Sequence, residues 1–163
     1  LNQQFRIGFG YDVHPFSRDR ILVLGGIVIP YETGLEGHSD ADVLLHAICD
    51  AMLGALGLGD IGKHFPNSSE EFRNIDSKIL LERTYDLIQK NGYALNNLDA
   101  TLVIEKPKVA PFIKLMIKEI AAVLKVDENQ ISIKATTSEK LGFVGREEGA
   151  AAYAVVLLTK KEN

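Results

Sequence analysis

Gly37–Gly62, GHSDADVLLHAICDAMLGALGLGDIG, decides the fold. From Ala41 to Leu58 it has helical length and no proline. Nearly every side chain there is apolar: Val43, Leu44, Leu45, Ala47, Ile48, Cys49, Ala51, Met52, Leu53, Ala55 and Leu56. A helix that is apolar on all sides is buried on all sides, so this segment should be the core helix. Its polar side chains, Asp42, His46 and Asp50, recur every four residues and share one stripe. A buried polar stripe needs polar partners, and the rest of the chain can be read for them.

Working outward, Phe5–His14 (FRIGFGYDVH) reads as a strand. Gly8 and Gly10 mark a close backbone approach or a bulge, and Asp12 and His14, two apart, face one side. Ile21–Leu24 and Ile27–Ile29 flank Gly25-Gly26, a tight hairpin. Tyr31–Asp40 is a polar loop that brings His38, Ser39 and Asp40 to the helix start, where Ser39, Asp40 or Asp42 can cap it. Leu58–Ser69 reads as a loop carrying Asp60, Lys63 and His64. A second helix runs from about Ser77 to Asn91, capped by Asp76 or Ser77 and stopped by Gly92. Its apolar stripe is Leu80, Thr84, Leu87 and Ile88.

Leu98–Glu105 reads as a strand. Pro111 opens a third helix with Ile113, Met116, Ile117, Ile120, Ala121 and Leu124 on one face. Ile131–Thr136 alternates as a strand with one wet face. Thr137–Gly149 (TSEKLGFVGREEG) is a loop, and Ala150–Leu158 is a last, almost wholly apolar strand. No repeat or linker interrupts this order, so 1–163 reads as one domain. The class is α+β, a mixed β-sheet with helices packed on one face. Three helices cannot cover two faces of such an apolar sheet, so oligomerisation through the sheet is expected.

The 163 residues suffice for a real core. A net charge of −4 gives no general attraction to nucleic acid or anionic membranes. The longest apolar run, near Ala150–Leu158, is too short to span a bilayer. Cys49 is the single cysteine, so no disulfide framework exists and a reducing compartment is expected. No charged-then-apolar leader opens the chain.

Asp12-x-His14 plus a histidine of the central stretch makes a set of two imidazoles and a carboxylate. Three protein ligands with one open position is the catalytic zinc pattern. His46 and His38 compete for the third place. The plainer alternatives are a surface turn at Asp12–His14 and a core His46 satisfied by Asp42 or Asp50. If His46 is a ligand, Asp50 is the carboxylate expected to orient it. Ala135-Thr136-Thr137-Ser138-Glu139-Lys140 supplies hydroxyls, a carboxylate and an ammonium, which suits phosphate oxygens and a hard cation such as Mg²⁺; a solvated loop is the alternative. Lys106-Pro107-Lys108 suits phosphate or simply a soluble strand end.

Taken in order, RIGFGYDVH, LGGIVIP, GHSDADVLLHAICDAMLGALGLGDIG, HFP and KATTSEKLGF-x-GR-x-EG resemble the 2-C-methyl-D-erythritol 2,4-cyclodiphosphate synthase family of the non-mevalonate isoprenoid pathway. The resemblance spans Arg6 to about Leu158. It implies a homotrimer whose sheets face a three-fold axis, with active sites between subunits and a cytidine diphosphate-linked substrate. It implies Zn²⁺ on Asp12, His14 and His46, and Mg²⁺ or Mn²⁺ on Glu139. Substrate contacts are implied for Asp12, His14, His38, Ser39, Asp60, Ile61, Gly62, Phe65, Lys108, Ala135, Thr136, Thr137, Glu139, Phe143 and Arg146. His38 and Lys140 are the implied catalytic residues, and Lys108 with Ala135–Thr137 matches the cytidine site. Phe9, Ala41, Asn67 and Tyr153 depart from the common family pattern. The implied reaction is intramolecular: a 2-phosphate attacks the β-phosphate of the same molecule and CMP leaves. The same ligands would serve a zinc phosphohydrolase or a trimeric binding protein with a structural metal. Bacterial cytoplasm is the expected setting in preference to a plastid.

Overall fold

The computed structural model describes residues 4–161. Strand β1 (Phe5–Ser17) runs antiparallel to the last strand, β7 (Gly149–Lys160), from Phe5 opposite Thr159 to Pro15 opposite Gly149. On its other side β7 pairs antiparallel with β5 (Tyr93–Val103), and β5 pairs parallel with β6 (Ile131–Thr136). The two-residue β4 (Gly34–Leu35) flanks β1, which gives the order β4-β1-β7-β5-β6. A parallel pair needs a crossover, and the helix α4 (Ile113–Leu124) supplies it. β2 (Val23–Leu24) and β3 (Ile27–Val28) form the separate hairpin. Gly25 and Gly26 have φ of +62° and +79°, the left-handed pair that a two-residue turn with the twist of its strands requires. This is the expected α+β architecture with a mixed sheet.

The core helix α1 spans Val43–Ala55, and Gly54 and Asp50 are its only residues outside the buried core. It is shorter than Ala41–Leu58 at both ends. Ala41 has φ +58°, so the helix cannot begin there, and Asp42 caps it by accepting the Leu45 N–H. Gly57, at φ +67°, turns the chain away after the last turn. α1 lies across β1 and β7 because β1 has no side chain where the helix crosses. A Cβ at Gly8 would stand 1.8 Å from the Ala51 carbonyl oxygen, and one at Gly10 would stand 1.9 Å from that of Ala47. Of the two readings of these glycines, close approach is the one realised; the β1–β7 register runs unbroken across them.

Behind α1 lies α3 (Ser77–Lys90), capped by Asp76. Its buried face is Leu80, Leu81, Thr84, Tyr85 and Ile88, with Leu87 only half-buried. β5 begins five residues before Leu98, because a bulge between Leu95 and Asn97 carries the polar Asn96-Asn97 pair through the strand. The two segments read as loops each hold one helical turn: α2 (Ile61–His64), capped by Asp60, and α5 (Gly142–Gly145).

The helices sit on one face of β1 and β7. The other face presents Phe5, Ile7, Phe9, Tyr11 and Val13 from β1 and Tyr153 and Val155 from β7, all exposed, Ile7 at 72%. The last strand is therefore covered on one face only by this chain. Among the described residues no helix is long and apolar enough to cross a membrane.

Candidate active site

Two residues of β1 and one of α1 meet where the glycines let helix and strand touch. Asp12 and His14 follow Gly8 and Gly10 on the face toward α1, and His46 precedes Ala47, the residue seated on Gly10. Asp12 Oδ2 lies 2.9 Å from His14 Nε2 and 3.0 Å from His46 Nδ1. The two ring nitrogens are 3.1 Å apart.

The outward ring nitrogens decide what these contacts are. His14 Nδ1 donates to the Glu36 carbonyl at 2.8 Å. His46 Nε2 faces the Ser77 hydroxyl at 2.9 Å and the Ser39 hydroxyl at 3.1 Å. The Ser77 hydroxyl donates in turn to Asp40, and the Ser39 oxygen accepts the Ala41 N–H. This arrangement suits a proton on each outer nitrogen. The lone pairs of His14 Nε2 and His46 Nδ1 and an oxygen of Asp12 converge on one point. Three acceptors so close repel one another unless a cation or an extra proton lies among them. The donor set, two imidazoles and one carboxylate, suits Zn²⁺.

The titration of the group fits this. Burial would raise the Asp12 carboxyl, but the His14 and His46 rings beside it outweigh that and hold the group at about 2. Burial would lower His14, but Asp12 outweighs that and raises it. The carboxylate draws a positive charge to the point where the lone pairs meet.

His38 is not the third member. Its Nε2 donates to the Ser69 carbonyl at 3.1 Å. Asp50 does not orient His46 either, because its Oδ1 accepts the Ile61 N–H at 2.7 Å and holds the start of α2. Nor is His46 a core histidine satisfied by Asp42. That carboxylate accepts the N–H groups of Gly25, Gly26 and Leu45, tying the hairpin to the helix. The polar stripe of α1 therefore meets three separate partners: the hairpin at Asp42, the β1 pair at His46 and α2 at Asp50. The orienting pair for His46, Ser77 and Asp40, was visible in the sequence only as two candidate caps.

A cavity of about 200 Å³ opens over the cluster. Asp12, His14, His38, Ser39, His46, Ile61, Gly62, Phe65 and Asn67 line it, with Phe72, Ile75 and Leu80 as an apolar wall. Asp60 stands beside it as the cap of α2, accepting the Lys63 N–H at 2.9 Å. The Ser39 side chain is buried, with its oxygen turned to His46 and Ala41.

A second cavity, of about 370 Å³, lies at the carboxyl ends of the parallel pair β5 and β6. It brings Lys108 together with Ala135, Thr136 and Thr137, between Glu105 and Pro111. Glu139 accepts the Thr137 hydroxyl at 3.1 Å. Lys140, Phe143 and Arg146 lie outside the lining of both cavities, and Arg146 pairs with Glu148 at 2.8 Å. Register places the two sites on one row of the sheet, Asp12 opposite Ala152, Ala152 opposite Leu102, and Leu102 opposite Ala135. Three strand spacings separate the ends of that row, about 14 Å.

The chain is similar to known proteins over nearly its whole length. The model of the YgbB family matches residues 5–159. A protein of Azobacteroides pseudotrichonymphae named 2-C-methyl-D-erythritol 2,4-cyclodiphosphate synthase is 59% identical over 96% of this chain and 93% of its own. A Parabacteroides distasonis protein of the same name is also 59% identical, over 96% and 98%. Among solved structures, the bifunctional IspDF of Campylobacter jejuni superposes with a TM-score of 0.94 at 43% identity. That match covers 98% of this chain and 43% of the bifunctional one. The CDP complex of Plasmodium falciparum IspF gives 0.87 at 38% identity, over 99% of this chain and 100% of that one. With the family's match running from β1 to the end of β7, and relatives of one name over nearly their whole length, the chain belongs to the YgbB family.

Proposed function

We propose that the protein cyclises 4-diphosphocytidyl-2-C-methyl-D-erythritol 2-phosphate to 2-C-methyl-D-erythritol 2,4-cyclodiphosphate with release of CMP, as a cyclising lyase. The observation that carries this is the convergence of Asp12, His14 and His46 beside one cavity, in a chain that holds a second cavity with Lys108, Thr136 and Thr137 in its lining. The names of the relatives support it, as do neighbours solved with CDP.

The nucleophile is a phosphate oxygen that is already an anion, so no general base is needed. The barrier lies in charge repulsion and in bringing two ends of one chain into line. When bound, Zn²⁺ on Asp12, His14 and His46 and Mg²⁺ or Mn²⁺ on Glu139 supply neutralising charge to the phosphate oxygens. Lys108 and the Ala135–Thr137 segment hold the cytidine half. Ile61, Gly62 and Phe65 wall the sugar half, with Asp60 at its edge. His38 and Lys140 would donate toward phosphate oxygen, and Phe143 and Arg146 would serve the nucleotide side. Fixing both halves can be worth roughly 7–11 kcal/mol.

The working unit is a homotrimer with the sheets facing its axis. The exposed row of Phe5, Ile7, Phe9, Tyr11, Val13, Tyr153 and Val155 supports it, because an apolar face of that extent needs a cover. In that arrangement the nucleotide cavity of one subunit meets the metal cavity of its neighbour. Relatives at 57–59% identity are bacterial, which favours the bacterial cytoplasm over a plastid.

³¹P NMR of the protein with the substrate and divalent cations tests the reaction. A cyclic diphosphate and CMP are expected. Inorganic phosphate with a linear product would assign a phosphohydrolase instead, and no turnover would remove the enzymatic reading.

A further inference from the structure

Glu105 lies just beyond the end of β5, and sequence patterning does not single it out. The β5–β6 pair is prolonged past the last strand residues by the Ile104 N–H, which donates to the Thr136 carbonyl at 3.0 Å. That contact sets the next residue, Glu105, against the segment leaving β6. One oxygen of its carboxylate then accepts three hydrogen bonds: from the Ser138 N–H at 3.0 Å, the Ser138 hydroxyl at 3.1 Å and the Lys140 N–H at 3.1 Å. Those N–H groups, Lys140 first, hold the Glu105 carboxyl below the usual range.

The segment it holds is strained. Glu139 and Lys140 have φ of +54° and +63°, two consecutive non-glycine residues in the left-handed region. Such a pair persists only where neighbours over-determine it. In this backbone the Ser138 and Lys140 N–H groups both turn toward one anion, the Glu105 carboxylate. The same backbone interlocks Thr137 and Glu139, whose side chains meet at 3.1 Å. On its other side Glu105 lines the cavity with Lys108, Thr136 and Thr137. One carboxylate therefore touches both the wall of the nucleotide cavity and the loop that presents Glu139.

We infer that Glu105 is a positioning residue, whose carboxylate holds the Ser138–Lys140 loop in the shape that couples the nucleotide cavity to the Glu139 carboxylate. Glu105 acts on a nucleoside diphosphate and its divalent cation through that loop and without touching the reacting atoms. This rests on the cyclisation proposed above. Without the anion the left-handed pair relaxes, Thr137 and Glu139 part, and the nucleotide and its cation bind more weakly. The metal cluster on β1 and α1 is built from other elements and is unaffected.

The test compares Glu105→Ala and Glu105→Gln with the unaltered protein. Gln keeps an acceptor oxygen and Ala keeps none. In Glu105→Ala the KM and the half-saturating Mg²⁺ concentration should each rise at least tenfold, with kcat at saturation within about threefold and zinc content unchanged. Glu105→Gln should recover most of both. Amide hydrogen exchange at Ser138 and Lys140, measured without substrate, should quicken at least tenfold in Ala and much less in Gln. CMP titration by calorimetry should show weaker binding by Ala whether or not the reaction is the one proposed. If the unaltered protein fails to turn the substrate over, the function falls, while exchange and CMP binding still judge Glu105. If KM, Mg²⁺ dependence, CMP affinity and exchange in Glu105→Ala all match the unaltered protein, Glu105 has no positioning role. Equal damage by Ala and Gln, with lowered zinc content, would likewise overturn it in favour of a general loss of structure.

Discussion

His14 Nε2 and His46 Nδ1 lie 3.1 Å apart, and with each ring proton on the outer nitrogen neither has one to give the other. Each ring has its proton on the far side, held by the Glu36 carbonyl and the Ser77 hydroxyl. A cation between them turns repulsion into coordination. His46→Ala should therefore abolish stoichiometric zinc, read by elemental analysis of purified protein. Ser77→Ala should leave the metal in place with an affinity lowered ~10–100-fold in a competitive chelator titration. Full zinc affinity in both variants would exclude this cluster as the metal centre.

Asp42 gives the fold a pH dependence of unusual sign. Burial, first, and the Asp40 charge push its carboxyl up to about 6, against the pull of the Gly26, Leu45 and Gly25 N–H groups. A carboxyl raised in the folded state favours folding when protonated. Its contribution is complete below the unfolded value near 3.8 and declines as pH rises toward about 6. Against Asp42→Asn, which does not titrate, the unaltered protein should gain about 2 kcal/mol between pH 7 and pH 4. Urea unfolding at both pH values measures this, and a constant difference would contradict the burial.

Gly10→Ala should damage fold and metal centre together. The new Cβ would stand 1.9 Å from the Ala47 carbonyl oxygen, so α1 must lift away from β1. A loss of about 3 kcal/mol or more is expected, with weakened zinc binding because His46 rides on the same turn. Denaturant midpoints and metal titration on one preparation check both. A variant that lost neither would show that the contact is slack.

Ile7→Glu and Val155→Glu place charges on the outer face of β1 and β7, where both side chains are exposed in the single chain. Sedimentation should find the unaltered protein trimeric and both variants largely monomeric, with zinc retained and activity lost. A monomeric unaltered protein with full activity would refute the shared site.

How much could be read beforehand follows from how local each signal is. α1 was legible because its apolar run is continuous over its whole length, and Gly8 and Gly10 were legible because two glycines in one strand need a reason. The start of β5 is hidden because Asn96-Asn97 looks like a turn until a bulge is seen to carry it. α2 and α5 are single turns, too short for periodicity. The choice of His46 over His38 and the Ser77–Asp40 support depend on side chains more than thirty residues apart, which spacing does not encode. Resemblance to a known family joined residues, such as Lys108 with Ala135–Thr137, that no local pattern would have joined.

Along β1 alternate residues belong to different surfaces: Gly8, Gly10, Asp12 and His14 look toward α1, while Ile7, Phe9, Tyr11 and Val13 look away. The strand is thus a two-sided message written in alternating letters. Its outer letters can change freely in kind, as long as they stay apolar, without touching the chemistry on the inner side. Its length cannot change. Deleting Phe9 would turn Asp12 and His14 outward and the Tyr11 ring toward the helix, exchanging the two faces in one step. Descendants of this chain should therefore vary at Phe9 and Tyr11 by substitution and never by insertion or loss.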